Sequence, residues 1–217
     1  MLVTVFRLLA LFVVLTVGLA RSSSADPVTI YSNFGAPPGY VADGWLSSEE
    51  NGYYMGFRLT EAASLRSVTL PTAWLGNLPA DFAVSIRSSS GGNLGGLIEQ
   101  MVIPFPAAVP AGTITLLTLA SSLQPMLSAN TLYFIGATPT RITAGFGFGS
   151  LWPRNNAGID GVVVSLSPAG SFVGQGRLAA FQLTGEPNAV PEPGTMLLFA
   201  TGAGFVLQRV RRRKRVV

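Results

Sequence analysis

The stretch Phe82–Ile103, FAVSIRSSSGGNLGGLIEQMVI, predicts the fold class of this chain. Its first part, Phe82–Arg87, alternates large apolar residues with small or polar ones, as a strand buried on one face does. The segment Ser88–Asn93 is polar and Gly-rich, which is typical of a turn. A second apolar run then extends from Leu97 to Ile103. The stretch therefore predicts two successive strands of a β-sheet protein.

Runs of the same kind recur along the middle of the chain and are separated by further turn signals such as Ala36–Gly39, Pro110–Gly112 and Asn155–Gly158. No amphipathic stretch exceeds two helical turns, although Ala62–Ser64 and Ala120–Met126 have room for one turn each. We therefore expect an all-β protein, an antiparallel β-sandwich of jelly-roll-like type. The predicted strands are Val28–Tyr31, Tyr53–Leu59, Leu65–Leu70, Phe82–Arg87, Leu97–Ile103, Thr113–Leu119, Leu132–Ala137, Ile142–Phe148, Gly161–Leu166 and Arg177–Thr184.

The positive charge of the chain is concentrated at its ends. The 217 residues carry a formal net charge of +4, but eight of the 14 cations lie in the N-terminal segment and the C-terminal tail. Residues 26–187 hold nine acids and six cations, so this single predicted domain is mildly acidic. This distribution argues against nucleic acid as a partner.

The N-terminal segment has the features of a secretory signal. One cation, Arg7, precedes the apolar stretch Leu8–Ala20, and small residues follow up to Ala25. This order predicts a Sec-type signal peptide over residues 1–25, formed by a helix and cleaved near Asp26. An uncleaved membrane anchor is the alternative, although the apolar stretch is shorter than the ~20 residues of a spanning helix. In both cases the domain is exported.

The C-terminal tail, residues 188–217, combines three features in a fixed order. An extended Pro-Glu-Pro segment comes first, then the apolar run Met196–Leu207, which predicts a single hydrophobic helix of roughly 18 Å. A basic cluster ends the tail, and the positive-inside preference places it in the cytoplasm. The sorting segment is Val190, Pro191, Glu192, Pro193 and Gly194, and the basic anchor is Arg209, Arg211, Arg212, Arg213, Lys214 and Arg215.

This tail resembles the PEP-CTERM sorting signal of Gram-negative bacteria. The resemblance implies processing by exosortase, a membrane-embedded protease, after an inner-membrane intermediate. It also implies delivery to the cell surface or the extracellular matrix of a bacterium that makes exopolysaccharide. An ordinary membrane anchor is the alternative interpretation of the tail.

The domain resembles the choice-of-anchor domains of exported bacterial proteins. The segments that carry this resemblance are Ser32–Gly35, Trp45, Phe82–Arg87, Leu94–Glu99 and Leu127–Phe134. Within the last segment, Asn130 replaces a usual Gly, and Asn tolerates the same left-handed turn. The resemblance implies a fold and a surface location, and it implies no chemistry.

The absence of His and Cys limits the chemistry of the chain. It excludes Ser-His-Asp and Cys-His nucleophiles as well as His- and thiolate-based metal sites. We therefore expect no enzymatic activity, no cofactor and no metal. Asn155–Asp160 is an alternative calcium segment. A glycoside hydrolase needs only two carboxylates, and its candidates are Asp43, Glu49, Glu50, Glu61, Asp81, Glu99 and Asp160.

Aromatic residues are the remaining functional signal, since an exposed ring stacks on the apolar face of a sugar. The candidate carbohydrate contacts are Trp152, Tyr53 and Tyr54, and Trp152, beside a turn, is the one expected to be exposed. Trp45 and Trp74 are expected to fill the core. We therefore expect a surface or matrix protein with a structural or adhesive role linked to exopolysaccharide, with a carbohydrate-binding module as the alternative and a hydrolase as the third hypothesis.

Overall fold

A computed structural model describes residues 26–48, 51–75, 81–104, 112–139 and 149–188. Within these ranges the chain forms thirteen β-strands and no helix. The strands are β1 Val28–Ser32, β2 Tyr40–Ser47, β3 Gly52–Phe57, β4 Ala63–Trp74, β5 Asp81–Ser90, β6 Asn93–Pro104, β7 Ile114–Ala120, β8 Met126–Leu127, β9 Tyr133–Pro139, β10 Ser150–Asn155, β11 Asp160–Ser167, β12 Gly170–Arg177 and β13 Gln182–Pro187.

The strands form two antiparallel sheets. The first sheet is built on the long strand β4, which pairs with β13 and β10 along one side and with β7 and β8 along the other. Strands β1 and β2 complete that sheet outside β13 and β10. The second sheet has the order β12-β11-β3-β9-β5-β6. The prediction of an all-β antiparallel protein is confirmed, whereas both predicted flanking helices fall outside the described residues.

One apolar core lies between the two sheets. In β5 the alternation seen in the sequence places Phe82, Val84 and Ile86 in this core. The first sheet contributes Leu70 and Trp152, among others, so residues from both sheets share one cluster. Burial of this apolar surface is the main stabilising term for a chain without cysteine.

The turn between β5 and β6 has the backbone that its sequence predicts. Gly91 and Gly92 have φ values of +59° and +85°, and the flanking residues Ser90 and Asn93 are paired. Two successive positive φ angles match the right-handed twist of a hairpin, and glycine adopts them without steric cost. Asn130 also lies in the predicted left-handed conformation, with a φ of +56°.

Several predicted elements were wrong. Strands β2, β8, β10 and β12 were not predicted, and the two proposed helical turns are absent, since Ala63 begins β4 and Met126 begins β8. Strands β2 and β12 lie at sheet edges, so their side chains are largely exposed and lack apolar alternation. Strand β10 contains Pro153 beside a bulge, and a proline at this position makes the sequence of the strand resemble that of a loop. The predicted strand Ile142–Phe148 lies outside the described residues.

The second sheet extends past the edge of the first. Strand β12 is exposed along most of its length on both faces, which shows that no described residue of the first sheet covers it fully. The edge strand β2 contacts β3 and β9 of the second sheet, and Val163 of β11 is still buried in the core, so the uncovered part is mainly β12. This overhang positions the candidate site.

Candidate functional site

Trp152, the aromatic residue predicted to be exposed, is fully buried. It lies in β10 between β2 and β4 and points into the core, where its exposed fraction is 0%. Its indole N–H donates a hydrogen bond of 2.9 Å to the carbonyl of Ala180. The prediction that Trp152 contacts carbohydrate was therefore wrong, because the residue sits in the middle of a sheet and not beside a turn.

Tyr54 is buried as well, on the outer face of the second sheet. It packs with Phe134 and Val164 in a small apolar cluster, and its ring lies across the backbone of Gly136 in the neighbouring strand. An open depression of about 410 Å³ lies on the same outer face, between the Gly91-Gly92 turn and β12. The residues that line this depression carry no charge. Because Tyr54 is buried, its ring is not available to stack on a sugar.

Tyr53, by contrast, points to the inner face and is half-buried at its margin. Its ring packs against Trp45 of β2, with ring centroids 4.9 Å apart and planes inclined by 43°. Trp45 is also half-buried, and its indole N–H donates to the carbonyl of Arg177 at 3.0 Å. Trp45 thus joins the edges of the two sheets and does not fill the core, whereas Trp74 does.

Phe172 of β12 extends this aromatic surface. Ser165 of β11 pairs with Tyr53 on one side and with Phe172 on the other, so both rings lie in one row on one face. Two strand spacings separate them, on the order of 10 Å. Phe172 is 72% exposed. We call Trp45, Tyr53 and Phe172 the aromatic ledge.

Two glycines form the floor of the aromatic ledge. A side chain at Gly174 would meet the ring of Phe172 at 3.0 Å, and one at Gly176 would meet the ring of Trp45 at 3.6 Å. Because neither position carries a side chain, the rings lie against the strand and present a low surface to solvent.

One charged pair borders the ledge. The guanidinium of Arg154 lies 5.2 Å from the centroid of the Trp45 ring, within cation–π range. Arg154 also forms an ion pair of 2.6 Å with Asp43. Arg177 and Asp160 form a second pair of 3.0 Å, but strand alternation places it on the outer face of the second sheet, opposite the ledge. The carboxylate of Asp43 is largely exposed beside the ledge and is accessible to hydroxyl groups, whereas Arg154 Nε is buried.

Glu99, one of the candidate catalytic acids, has a structural position. Its carboxylate is 2% exposed and accepts hydrogen bonds from the Ser121 hydroxyl, from both the backbone and hydroxyl of Ser122, and from the backbone of Leu123. These bonds join β6 of the second sheet to the segment after β7 of the first. Glu99 is therefore inaccessible to a substrate.

The other candidate acids are dispersed. Asp43 and Asp160 are paired with arginines as described above, Glu61 is exposed and Asp81 is half-buried. Glu49 and Glu50 lie outside the described residues. Among the side chains that the structure describes, no three acids form a cluster that would hold a metal ion.

The oxygen atoms of the alternative calcium segment are engaged by protein donors. The side-chain oxygen of Asn155 accepts a bond from the backbone of Ile159, and that of Asn156 accepts one from the backbone of Gly35. Asp160 accepts from Arg177. The segment is thus a turn whose side-chain oxygens are held by donors from Ile159, Gly35 and Arg177.

Sequence reasoning missed both Phe172 and a pair of buried amides. Asn33 bonds the Ala179 carbonyl and the Phe181 backbone N–H, and Asn155 bonds the Leu178 carbonyl. These amides fix the crossover from β12 to β13. A detectable signal for Phe172 was the Gly-Ser-Phe-Val-Gly-Gln-Gly pattern of β12, in which glycines alternate on the face of the ring.

The sorting segment Val190–Gly194 and the basic anchor lie outside the described residues, as does the predicted signal peptide. Within the described ranges, no helix has the length and apolar character needed to cross a membrane.

The fold and the site define an all-β protein of two antiparallel sheets with an exposed aromatic surface, and a comparison with known families identifies its tail. Residues 189–214 match the family model of the PEP-CTERM protein-sorting motif. No curated protein and no solved structure matches the chain significantly. The motif confirms the predicted PEP-CTERM protein, whereas the choice-of-anchor resemblance stays a prediction.

The motif also defines the route of the protein. It implies export, a membrane-associated intermediate and then the cell surface, with processing by the membrane protein exosortase.

Proposed function

We propose that this chain is a non-enzymatic matrix protein that, once sorted to the cell surface, adheres to exopolysaccharide through the aromatic ledge. The observation that carries the proposal is the exposure of Phe172, at 72%, in one row with Tyr53. A large apolar ring exposed to water on a sheet that otherwise buries its rings marks an interaction surface.

The chemistry of the ledge suits a polysaccharide. A pyranose ring has one apolar face and a rim of hydroxyl groups, so it stacks on an aromatic ring while its hydroxyls remain free for hydrogen bonds. The pair Arg154–Asp43 supplies a donor and acceptors beside the rings. The open row of rings fits an extended chain of sugars better than a single small molecule.

A catalytic role has less support. Hydrolysis of a glycosidic bond requires an acid and a second carboxylate on either side of the bond. Of the candidate carboxylates in the described ranges, Glu99 is buried and bonded, and Asp43 and Asp160 are neutralised by arginines. Binding without turnover is therefore the activity that we propose.

The test is a binding measurement between the exported protein and exopolysaccharide purified from the same bacterium. Phe172→Ala should weaken binding about tenfold, which corresponds to about 1.4 kcal/mol for the loss of one stacking ring. Leu116→Ala is the matched control, since Leu116 is 55% exposed on β7, outside the ledge. It should bind as the wild type does.

Two results would contradict the proposal. The wild-type protein would show no binding to the polysaccharide, or Phe172→Ala would bind with unchanged affinity. The first result would leave a structural role without glycan recognition, and release of reducing sugar during the assay would favour a hydrolase.

A further inference from the structure

Strand β12 presents an unprotected sheet edge. Its eight residues pair with β11 in continuous register without a bulge, and only Trp45 among the described residues bonds its outer side. Among the other edges of the described sheets, β1, β2 and β6 carry bulges, and the segment that follows β7 is tied to β6 through Ser121 and Glu99. Bulges oppose edge pairing, and β12 lacks them.

The hydrogen-bond alternation of the hairpin shows which backbone groups are available. The N–H of Leu178 bonds the carbonyl of Ile159, so even-numbered residues of β12 bond inward to β11. The carbonyl of Arg177 points outward, since it accepts the indole N–H of Trp45. The same alternation turns the N–H and carbonyl groups of Ser171, Val173 and Gln175 to the outer edge.

These groups are self-complementary about a twofold axis at Val173. In an antiparallel pairing of two copies, Val173 lies opposite itself and Ser171 lies opposite Gln175 of the partner subunit. Each of these pairs exchanges two backbone hydrogen bonds. We infer that two copies of this chain associate through β12, which joins their second sheets into one continuous antiparallel sheet.

The composition of β12 favours a second copy of the chain as the occupant. A twofold interface brings each residue near its own counterpart, so a charge at the centre would repel itself. Residues 170–176, GSFVGQG, carry no charge. The apolar residues Phe172 and Val173 are 72% and 40% exposed, and pairing would place Phe172 beside Gly174 of the partner subunit.

Association would join the two aromatic ledges, because the inner faces of both sheets stay on one side of the combined sheet. This consequence rests on the proposed function, whereas the association itself does not. A joined ledge offers rings from both copies to one polysaccharide chain, and linked sites raise avidity without any new contact.

The first experiment measures the mass of the exported protein by sedimentation equilibrium. The wild type should show a monomer–dimer equilibrium, and Val173→Lys should be monomeric because it places two like charges opposite each other. Val102→Lys is the matched control, since Val102 is 56% exposed on β6, and it should dimerise as the wild type does. A monomeric wild type, or a dimeric Val173→Lys, would overturn the inference.

A second experiment detects the contact in the full chain on cells. The sequence contains no cysteine, so a single introduced thiol is the only source of a disulfide. Directly opposed residues have Cα atoms about 5.5 Å apart, within disulfide range. Val173→Cys should give a covalent dimer under mild oxidation and Val102→Cys should not. Equal yields from both variants, or no dimer from Val173→Cys, would overturn the inference.

The two proposals can fail separately. On the monomeric Val173→Lys background, Phe172→Ala should still weaken polysaccharide binding, because each ledge is complete within one copy. If the wild-type protein bound the glycan but formed no dimers, only the proposed association would be contradicted. If it formed dimers but did not bind the glycan, only the proposed function would be contradicted.

Discussion

Among single residues, the buried Glu99 carboxylate joins the two sheets by accepting hydrogen bonds from Ser121, Ser122 and Leu123. Glu99→Gln puts an amide N–H₂ where those donors point, so at least one bond is lost and a buried donor is left without an acceptor. We expect the free energy of unfolding to fall by about 3 kcal/mol.

Urea unfolding measures this loss. Glu61→Gln is the control, since Glu61 is exposed, and it should change stability by less than about 0.5 kcal/mol. If Glu99→Gln were as stable as that control, the carboxylate would not hold the sheets together.

A second residue gives the protein a pH dependence. Burial raises the pKa of Tyr31 to about 12, where its ring packs at 5.0 Å from that of Phe181. The folded pKa lies above the unfolded value of about 10, so this contribution to stability is present below pH 10. It is lost as the pH rises from 10 to 12, because the unfolded chain gives up its proton first.

The expected loss is on the order of 2 kcal/mol, from about 1.4 kcal/mol per pKa unit. Tyr31→Phe has no proton to lose, so its free energy of unfolding should fall less than that of the wild type between pH 9 and pH 12. Parallel curves for the two proteins would show that the hydroxyl of Tyr31 is not buried in the folded state.

Among elements, the crossover from β12 to β13 depends on side-chain amides. Asn33 is fully buried and bonds both the Ala179 carbonyl and the Phe181 backbone N–H, each at 2.7 Å. Asn33→Ala leaves both backbone groups without these partners, and we expect a loss of about 3 kcal/mol. Asn188→Ala, at an exposed position, is the control. A loss below 1 kcal/mol for Asn33→Ala, by thermal or urea unfolding, would show that the amide does not fix the crossover.

The elements also show what the sequence could predict. The hairpin of β5 and β6 was predictable because local signals agree: alternation in Phe82–Arg87 and a Gly-Gly turn. Strands β2, β10 and β12 could not be predicted in this way, because the exposure of their side chains depends on which strand lies beside each of them. Trp152 was therefore predicted to be exposed although it is buried, and the exposed Phe172 was missed, since only the pairing of β10 with β4 and of β12 with β11 determines which ring meets solvent.

For the whole molecule, charge and sorting are linked. The chain as a whole is basic, but residues 26–187 hold nine acids and six cations, a formal net charge of −3. The basic cluster Arg209–Arg215 belongs to the tail that the PEP-CTERM motif covers in part. Processing would therefore release an acidic β domain, and the adhesion that we propose for it would depend on the aromatic ledge and not on bulk charge.

The measurement that tests this account most directly is the intact mass of the protein recovered from the matrix of its native host, compared with a strain lacking exosortase. We expect a mass that begins near Asp26 and ends near Pro191, and its absence from the deletion strain. A matrix protein that retains Arg209–Val217 in both strains would contradict the account, because the tail would then be a permanent anchor.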